Sequence, residues 1–184
     1  QEPVKIYCPQ FSYFKAPVKN TVPSHNVSLL QVYQIIKGNA FASCTSTLRS
    51  IADKQQAKDF KAQNFDYVTF AGTFSKRSDN ALLRHSNLLT IDFDHIPNIE
   101  ELKGKLLQDE YFETELLFAS PSGDGLKWII PIDITKATHL DYFKAISNYL
   151  LQTYQLKIDQ SGKDISRACF LPQDEAVFIN SKYL

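Results

Sequence analysis

The chain contains no methionine at all. That absence predicts a processed piece, or one domain of a larger protein. Cysteine is scarce: Cys8, Cys44 and Cys169 stand far apart, without C-x-x-C spacing. An odd, scattered set argues against a disulfide framework or a zinc site and fits a reducing, cytoplasmic compartment. No apolar run reaches the roughly 18 residues that a membrane span needs, so no membrane is expected as a partner. The N-terminus lacks the apolar core of a signal peptide. Charge of one sign is not in excess either, since Lys plus Arg and Asp plus Glu number 20 each and the formal net charge is +0. Bulk charge therefore gives no reason to expect nucleic-acid binding and leaves only a local basic stripe as its vehicle. There is no G-x-x-x-x-G-K-[ST] phosphate loop, so nothing suggests a Walker-type ATPase. His25, His85 and His139 show no ligand spacing, and no Ser-His-Asp or Cys-His arrangement stands out.

What is present is a folding composition. Apolar residues make up 43% and aromatics 12% of 184 residues, enough for one good core or a domain with an appended subdomain. The first 26 residues hold Pro3, Pro9, Pro17 and Pro23 and short β-rich pieces such as VKIYC (4–8). SLLQVYQIIKG (28–38) predicts a helix capped by Ser28 and stopped by Gly38. Residues 45–63 are polar and helix-compatible, with Arg49, Lys54, Lys58 and Lys61 spread along them. DYVTFAG (66–72) reads as a strand and residues 72–86 as a basic loop. Tyr67, Phe70 and Phe74 are expected in the core.

From residue 88 the pattern becomes regular. LLTIDFD (88–94) is a strand, and NIEELKGKLLQD (98–109) a helix opened by Asn98 with Glu101 at capping-box spacing. ELLFAS (115–120) and LKWIIPID (126–133) are strands around a turn-rich SPSGDG loop. THLDYFKAISNYLLQTY (138–154) is a helix, and CFLP (169–172) and AVFIN (176–180) are short strands. The fold class is α/β of the α+β kind. A ferredoxin- or RRM-like β-α-β-β-α-β core spans 88–184, and an α/β extension packed on it spans 1–87.

Three constellations could carry chemistry. Asp92 and Asp94 end an apolar strand with one residue between them, so they share a face, about 7 Å apart at Cα. Two like charges so placed repel unless a cation joins them, and paired carboxylates suit Mg²⁺ or Mn²⁺ with a phosphate substrate. Two exposed acids where a strand meets solvent is the plain alternative. In SPSGDGLK (120–127), Ser120, Ser122, Gly123 and Gly125 can form an anion nest within reach of Lys127; an ordinary hairpin turn has the same composition. In KIDQSGKDISR (157–167), Asp159 offers a third metal carboxylate and Arg167 a phosphate clamp. Asp164 and Arg167 also suit a surface pair of little energetic worth. Lys76, Arg77 and Arg84 could guide a nucleic-acid backbone or belong to a solvated loop. His95 is turned from Asp94 by alternation and reads as a packing or surface residue.

The order of these pieces resembles the archaeo-eukaryotic primase, or primase-polymerase, superfamily. IDFD (91–94) matches its D-x-D motif, SGDGLK (122–127) its S-G-x-G-x-H motif, and KID (157–159) its later apolar-Asp motif. DISRACFLP (164–172) is similar to the D-x-x-R stretch that ends near Leu-Pro in many members. A closer resemblance covers nearly the whole chain. VTFAGTFSKRSDNALLRHSNLLTIDFDHI (68–96), SPSGDGLKWIIPI (120–132) and DISRACFLPQDEAVFIN (164–180) resemble the VirE N-terminal or BT4734-like domain of Bacteroides primase/helicase-like proteins.

The resemblance implies a domain of a mobile-element replication protein with a nucleoside triphosphate and DNA or RNA as partners. A helicase-like domain would follow in the full-length chain. It implies Mg²⁺ or Mn²⁺ on Asp92, Asp94 and Asp159 and nucleotidyl transfer at those residues. Ser120, Ser122, Gly123, Gly125, Lys127, Asp164 and Arg167 would bind nucleotide phosphates. Lys127 stands where the superfamily carries His, which keeps a positive charge but not imidazole chemistry. A DNA- or RNA-binding module without catalysis is the alternative implied by that departure.

Overall fold

A computed structural model describes residues 1–4 and 6–184. Lys5, inside the VKIYC piece, lies outside the described residues, and Val4 and Ile6–Cys8 belong to no strand. The first half carries β1 (Gln10–Phe14), β2 (His25–Ser28), α1 (Leu29–Lys37), α2 (Ala42–Ser50), α3 (Lys54–Asn64), β3 (Tyr67–Thr69), β4 (Gly72–Phe74) and β5 (Leu82–His85). The second half carries β6 (Leu88–Phe93), α4 (Ile99–Leu107), β7 (Leu116–Ala119), β8 (Leu126–Pro131), α5 (His139–Tyr154), β9 (Cys169–Phe170) and β10 (Phe178–Ile179).

Local chemistry explains most boundaries. Ser28 and Gln31 form a reciprocal capping box at the start of α1: the Ser28 hydroxyl accepts from Gln31 N at 3.2 Å, and the Gln31 side chain accepts from Ser28 N at 2.8 Å. Asn98 and Thr138 cap α4 and α5 in the expected places. The polar stretch 45–63 is divided between two helices, because Asp53 leaves the helical path and caps α3 through Gln56 N at 2.8 Å. The segment 72–86, expected as a loop, contains the β4–β5 hairpin. Its strands are short, with a bulge between Thr73 and Phe74, so no clean alternation marks them.

The fold is α+β. One antiparallel sheet has the order β2-β1-β3-β9 and a second the order β10-β7-β8-β6. In the second sheet β6, α4 and β7 form a crossover with β8 between the two strands, the split-βαβ device expected from the sequence. The last strand is placed differently from a ferredoxin-like sheet, where it flanks the first. Here β10 pairs with β7, Phe178 opposite Leu117. The outer edge of β6 is covered by residues 157–159, which form no ladder. Asp159 N donates to Asp92 O at 3.2 Å and the chain then turns into a 3-10 turn at Gln160–Lys163. Helix α5 ends on Gln155 in the left-handed conformation, leaving few residues in which a strand could form. β9 leaves the second sheet altogether and pairs with β3, Val68 opposite Cys169.

Two apolar cores result. Leu89, Ile91, Phe93, Trp128 and Ile130 face α4 and α5, packing with Leu102, Leu106, Phe143 and Ile146. Leu88, Leu116, Phe118 and Ile129 lie on the other face of the sheet, packed with Phe11, Val68, Phe70 and Cys169. The second sheet thus separates the α4–α5 layer from the first sheet. Tyr67, Phe70 and Phe74 are buried, as expected. No described helix is long and apolar enough to cross a membrane.

Candidate functional site

Alternation along β6 decides where the first acid points. Ile91 and Phe93 enter the α4–α5 core. Asp92 shares the opposite face with Leu88 and is turned toward the space between the two sheets. Lys127 on β8 is its direct cross-strand partner. Lys127 Nζ stands 2.9 Å from Asp92 Oδ1, with the two side chains only 15% and 5% exposed. The contact is a charge pair without an aligned hydrogen bond on Oδ1. Burial by itself would lower the Lys127 pKa; the Asp92 carboxylate, with help from Asp94, overrides it and holds the ammonium above its ordinary value.

Arg167 closes the other side of the pair. Its Nε lies 4.0 Å from Asp92 Oδ2, and its Nη2 lies 3.6 Å from Asp159 Oδ2. Asp159 also accepts from Ser161 N at 2.9 Å and Ser161 Oγ at 2.7 Å. Burial works to raise its pKa, but these hydrogen bonds and Arg167 prevail and keep it below the usual carboxylate value.

The SPSGDG loop lies across the end of β6. Gly125 packs so closely that a Cβ there would stand 2.3 Å from Phe93 O. The loop is held by its own groups. Gly123 N donates to Ser120 O at 2.9 Å and Gly125 N to Ser120 Oγ at 3.1 Å, so both amides are used inside the loop. Ser122 Oγ donates to Asp124 Oδ1 at 2.8 Å, and His95 Nδ1 meets Asp124 Oδ2 at 2.9 Å. His95 is exposed, with φ 54°, the left-handed turn that brings it to Asp124. Burial pushes the Asp124 pKa up, but Ser122 and His95 outweigh it and the net shift is downward.

Between the sheets, at this end, is a cleft of about 320 Å³. Asp94, Ser120, Ser122, Lys127, Asp164 and Arg167, all singled out from sequence, line it. Asp92 and Asp159 stand behind it, paired to Lys127 and Arg167. Gly123 and Gly125 shape the loop and are not among the lining residues. Of the three basic residues in 76–84, only Arg77 reaches the cleft, where its Nε donates to Tyr67 Oη at 3.1 Å. Lys76 is exposed elsewhere, and the Arg84 guanidinium lies 5.6 Å from the Tyr7 ring centroid.

Two contributors carried no signal in the sequence. Lys61, in the last turn of α3, lines the cleft. Arg49, on α2, donates from Nε to Pro121 O at 3.1 Å and from Nη2 to Ser120 O at 3.2 Å, pinning the loop from outside. Both lie on polar helices without a motif, and only the packing of the α2–α3 pair beside β9 and the 120–121 loop brings them here.

The carboxylates offer an oxygen-only donor set, which suits Mg²⁺ or Mn²⁺. Asp94 is exposed, with no ion-pair partner among the described residues, and retains acceptor capacity for an ion, whereas an ion at Asp92 would have to share Oδ1 with the Lys127 ammonium 2.9 Å away. Among the described residues no three His, Cys, Asp or Glu side chains converge into a complete cage. An ion there would draw its remaining ligands from water and phosphate, as Mg²⁺ commonly does.

A family model described as the BT4734-like N-terminal domain covers residues 59–178. No curated protein and no solved structure matches the chain.

Proposed function

This chain belongs to the family of BT4734-like N-terminal domains, and we propose that its inter-sheet cleft binds a nucleoside triphosphate and a DNA or RNA strand with a divalent cation, as a primase-polymerase-like domain of a mobile-element replication protein. The observation that carries this reading is the convergence of Lys127, Arg167, Ser120 and Ser122 with Asp94 on one cleft, directly in front of buried Asp92. Cations and hydroxyls side by side with carboxylates are what a metal-phosphate ligand needs. The cations would neutralise phosphate oxygens, and Asp92 and Asp94 would hold a metal that adds positive charge beside them.

Asp92 and Asp94 would hold Mg²⁺ or Mn²⁺, which when bound supplies Lewis-acid polarisation of the phosphate under attack. The chain's own residues do the rest. Arg167 presents a guanidinium to phosphate oxygens, oriented by Asp159. Lys127 adds a fixed positive charge whose position is set by the β6–β8 ladder. Ser120 and Ser122 offer hydroxyls on a loop already stiffened by Asp124 and Arg49. Arg77 adds a further positive charge to the same cleft.

A second reading has its own observation. Lys127 and Arg167 already compensate Asp92 and Asp159. A metal would have to compete with both, which favours a nucleic-acid-binding module without catalysis. Calorimetric titration with Mn²⁺ and Mg²⁺, with and without a nonhydrolysable nucleoside triphosphate, separates the two. Metal-coupled nucleotide binding that is lost in Asp92→Asn and Asp94→Asn supports the primase-polymerase-like reading. A well-folded wild type that binds neither ligand, yet binds DNA with strong salt dependence, overturns it in favour of the module.

A further inference from the structure

The wall of the cleft facing the strand ends comes from α3, whose Lys61 stands among cations. The Lys61 ammonium lies 5.7 Å from the Phe170 ring centroid, half-buried, on a cleft it shares with Lys127, Arg77 and Arg167. No carboxylate lies within ion-pair distance of it among the described residues. Burial lowers its pKa, Lys127 and Arg167 lower it further, and Asp94 and Asp124 offset them only in part. Lys127 and Arg167 have protein acids of their own, and among the described residues the Arg77 side chain donates only to Tyr67 and a backbone carbonyl. Lys61 and Arg77 are thus the cleft cations that form no ion pair with a protein acid among the described residues, although Asp94 and Asp164 share the lining. An under-solvated ammonium among cations is unfavourable until an anion joins it.

We propose that Lys61 grips the phosphate tail of the ligand and that the cleft takes a polyphosphate, a di- or triphosphate group, rather than a single phosphodiester. The inference rests on the nucleotide-binding reading of the same cleft and names the part of the nucleotide held here. A phosphodiester brings one negative charge. A triphosphate brings several, close enough together to answer Lys61 and Arg77 at once and to share Lys127 and Arg167. Arg49 keeps this wall in place. Its guanidinium ties α2 to the loop carbonyls of Ser120 and Pro121, and it lies so near Gly123 that a Cβ there would be 2.9 Å from Nε. The α2–α3 pair and the loop therefore form one cradle with Lys61 and Ser122 on its lining.

Calorimetry on the full chain tests this with inorganic triphosphate, a nonhydrolysable nucleoside triphosphate and a short single-stranded oligonucleotide without a terminal phosphate. Lys61→Gln is expected to lose about ten- to hundredfold in affinity for both triphosphates, the size of one charge-assisted contact. Lys61→Arg should retain most of it. The melting temperature without ligand should hardly change, because Lys61 has no ion pair to lose; Lys61→Met serves if Gln impairs folding. Equal triphosphate affinity in wild type and Lys61→Gln overturns the role of Lys61 and leaves the nucleotide reading standing. A loss confined to the oligonucleotide overturns the polyphosphate assignment. A wild type that binds neither triphosphate overturns both this inference and the reading beneath it.

Discussion

Lys127 Nζ and Asp92 Oδ1 stand 2.9 Å apart across the β6–β8 ladder, in a nearly closed position between two sheets. Each charge is tolerated because the other is there. Removing one partner leaves an uncompensated charge in a site largely closed to water, which is far more damaging than removing both. Lys127→Met or Asp92→Asn should each destabilise the chain by about 3 kcal/mol, and the double variant should recover part of that loss. Urea unfolding of the four species gives the coupling directly. Additive losses would mean that the pair is not coupled in the folded protein.

Gly125 and Gly104 differ in what a methyl group would meet. At Gly125 a Cβ would stand 2.3 Å from the Phe93 carbonyl, which β6 cannot withdraw without disturbing Asp92 beside it. Gly125→Ala should destabilise by about 2 kcal/mol or more. Gly104, inside α4, has nothing within 4 Å of the added atom. Gly104→Ala should stabilise by about 0.5–1 kcal/mol from helix propensity. Thermal melts of the two variants should therefore move in opposite directions.

Arg49 acts on the loop through two carbonyls rather than by touching its side chains. Arg49→Ala should speed amide exchange at Gly123 and Gly125, whose bonds to Ser120 depend on the loop staying closed. It should also weaken triphosphate binding while leaving exchange in β6 and β8 slow. Arg49→Lys, with no fork to span both carbonyls, should rescue little. Unchanged loop exchange in Arg49→Ala would show that the loop holds itself.

A histidine relay ties the hairpin to the segment that carries Asp159 and Arg167. Asn87 N donates to His85 Nδ1 at 2.9 Å, so His85 carries its proton on Nε2, facing His139 Nδ1 at 3.0 Å. His139 Nε2 then faces Gly162 O at 3.4 Å. Burial, then the neighbouring His139, pushes the His85 pKa down to about 4. Burial also lowers His139, against the opposing pull of Gly162 O, Asp79 and Asp164. The unfolded chain takes up these protons near about pH 6.5. The relay's contribution is therefore complete above that pH and is lost as the pH falls toward about 4, where folded His85 protonates. Wild type should lose more stability across this window than His85→Gln. Parallel pH profiles of their urea midpoints would refute the linkage.

The legible parts of this protein are those written in neighbouring residues. Ser28, Asn98 and Thr138 announce their helices because a cap needs only its own first turn. Strand alternation in LLTIDFD is enough to put Asp92 and Ile91 on opposite faces, and the family match spans residues 59–178, which include that strand. The β4–β5 hairpin escaped because its strands are short and bulged. The turn from Gln155 to Lys163 and the pairing of β10 with β7 rest on which sheet edge lies open, and that is not a local property.

By itself, then, the sequence determined α1, α4 and α5, the central strands and the acids at the end of β6, since each depends on contacts a few residues long. Only the tertiary structure decided that Lys127 neutralises Asp92, that Arg49 holds a loop 71 residues away in the chain, and that Lys61 faces the same cleft. The first comes from strand register, and the other two from packing a polar helix pair beside β9 and the 120–121 loop. Polar helix surfaces carry no periodicity that says which of their charges will be enclosed.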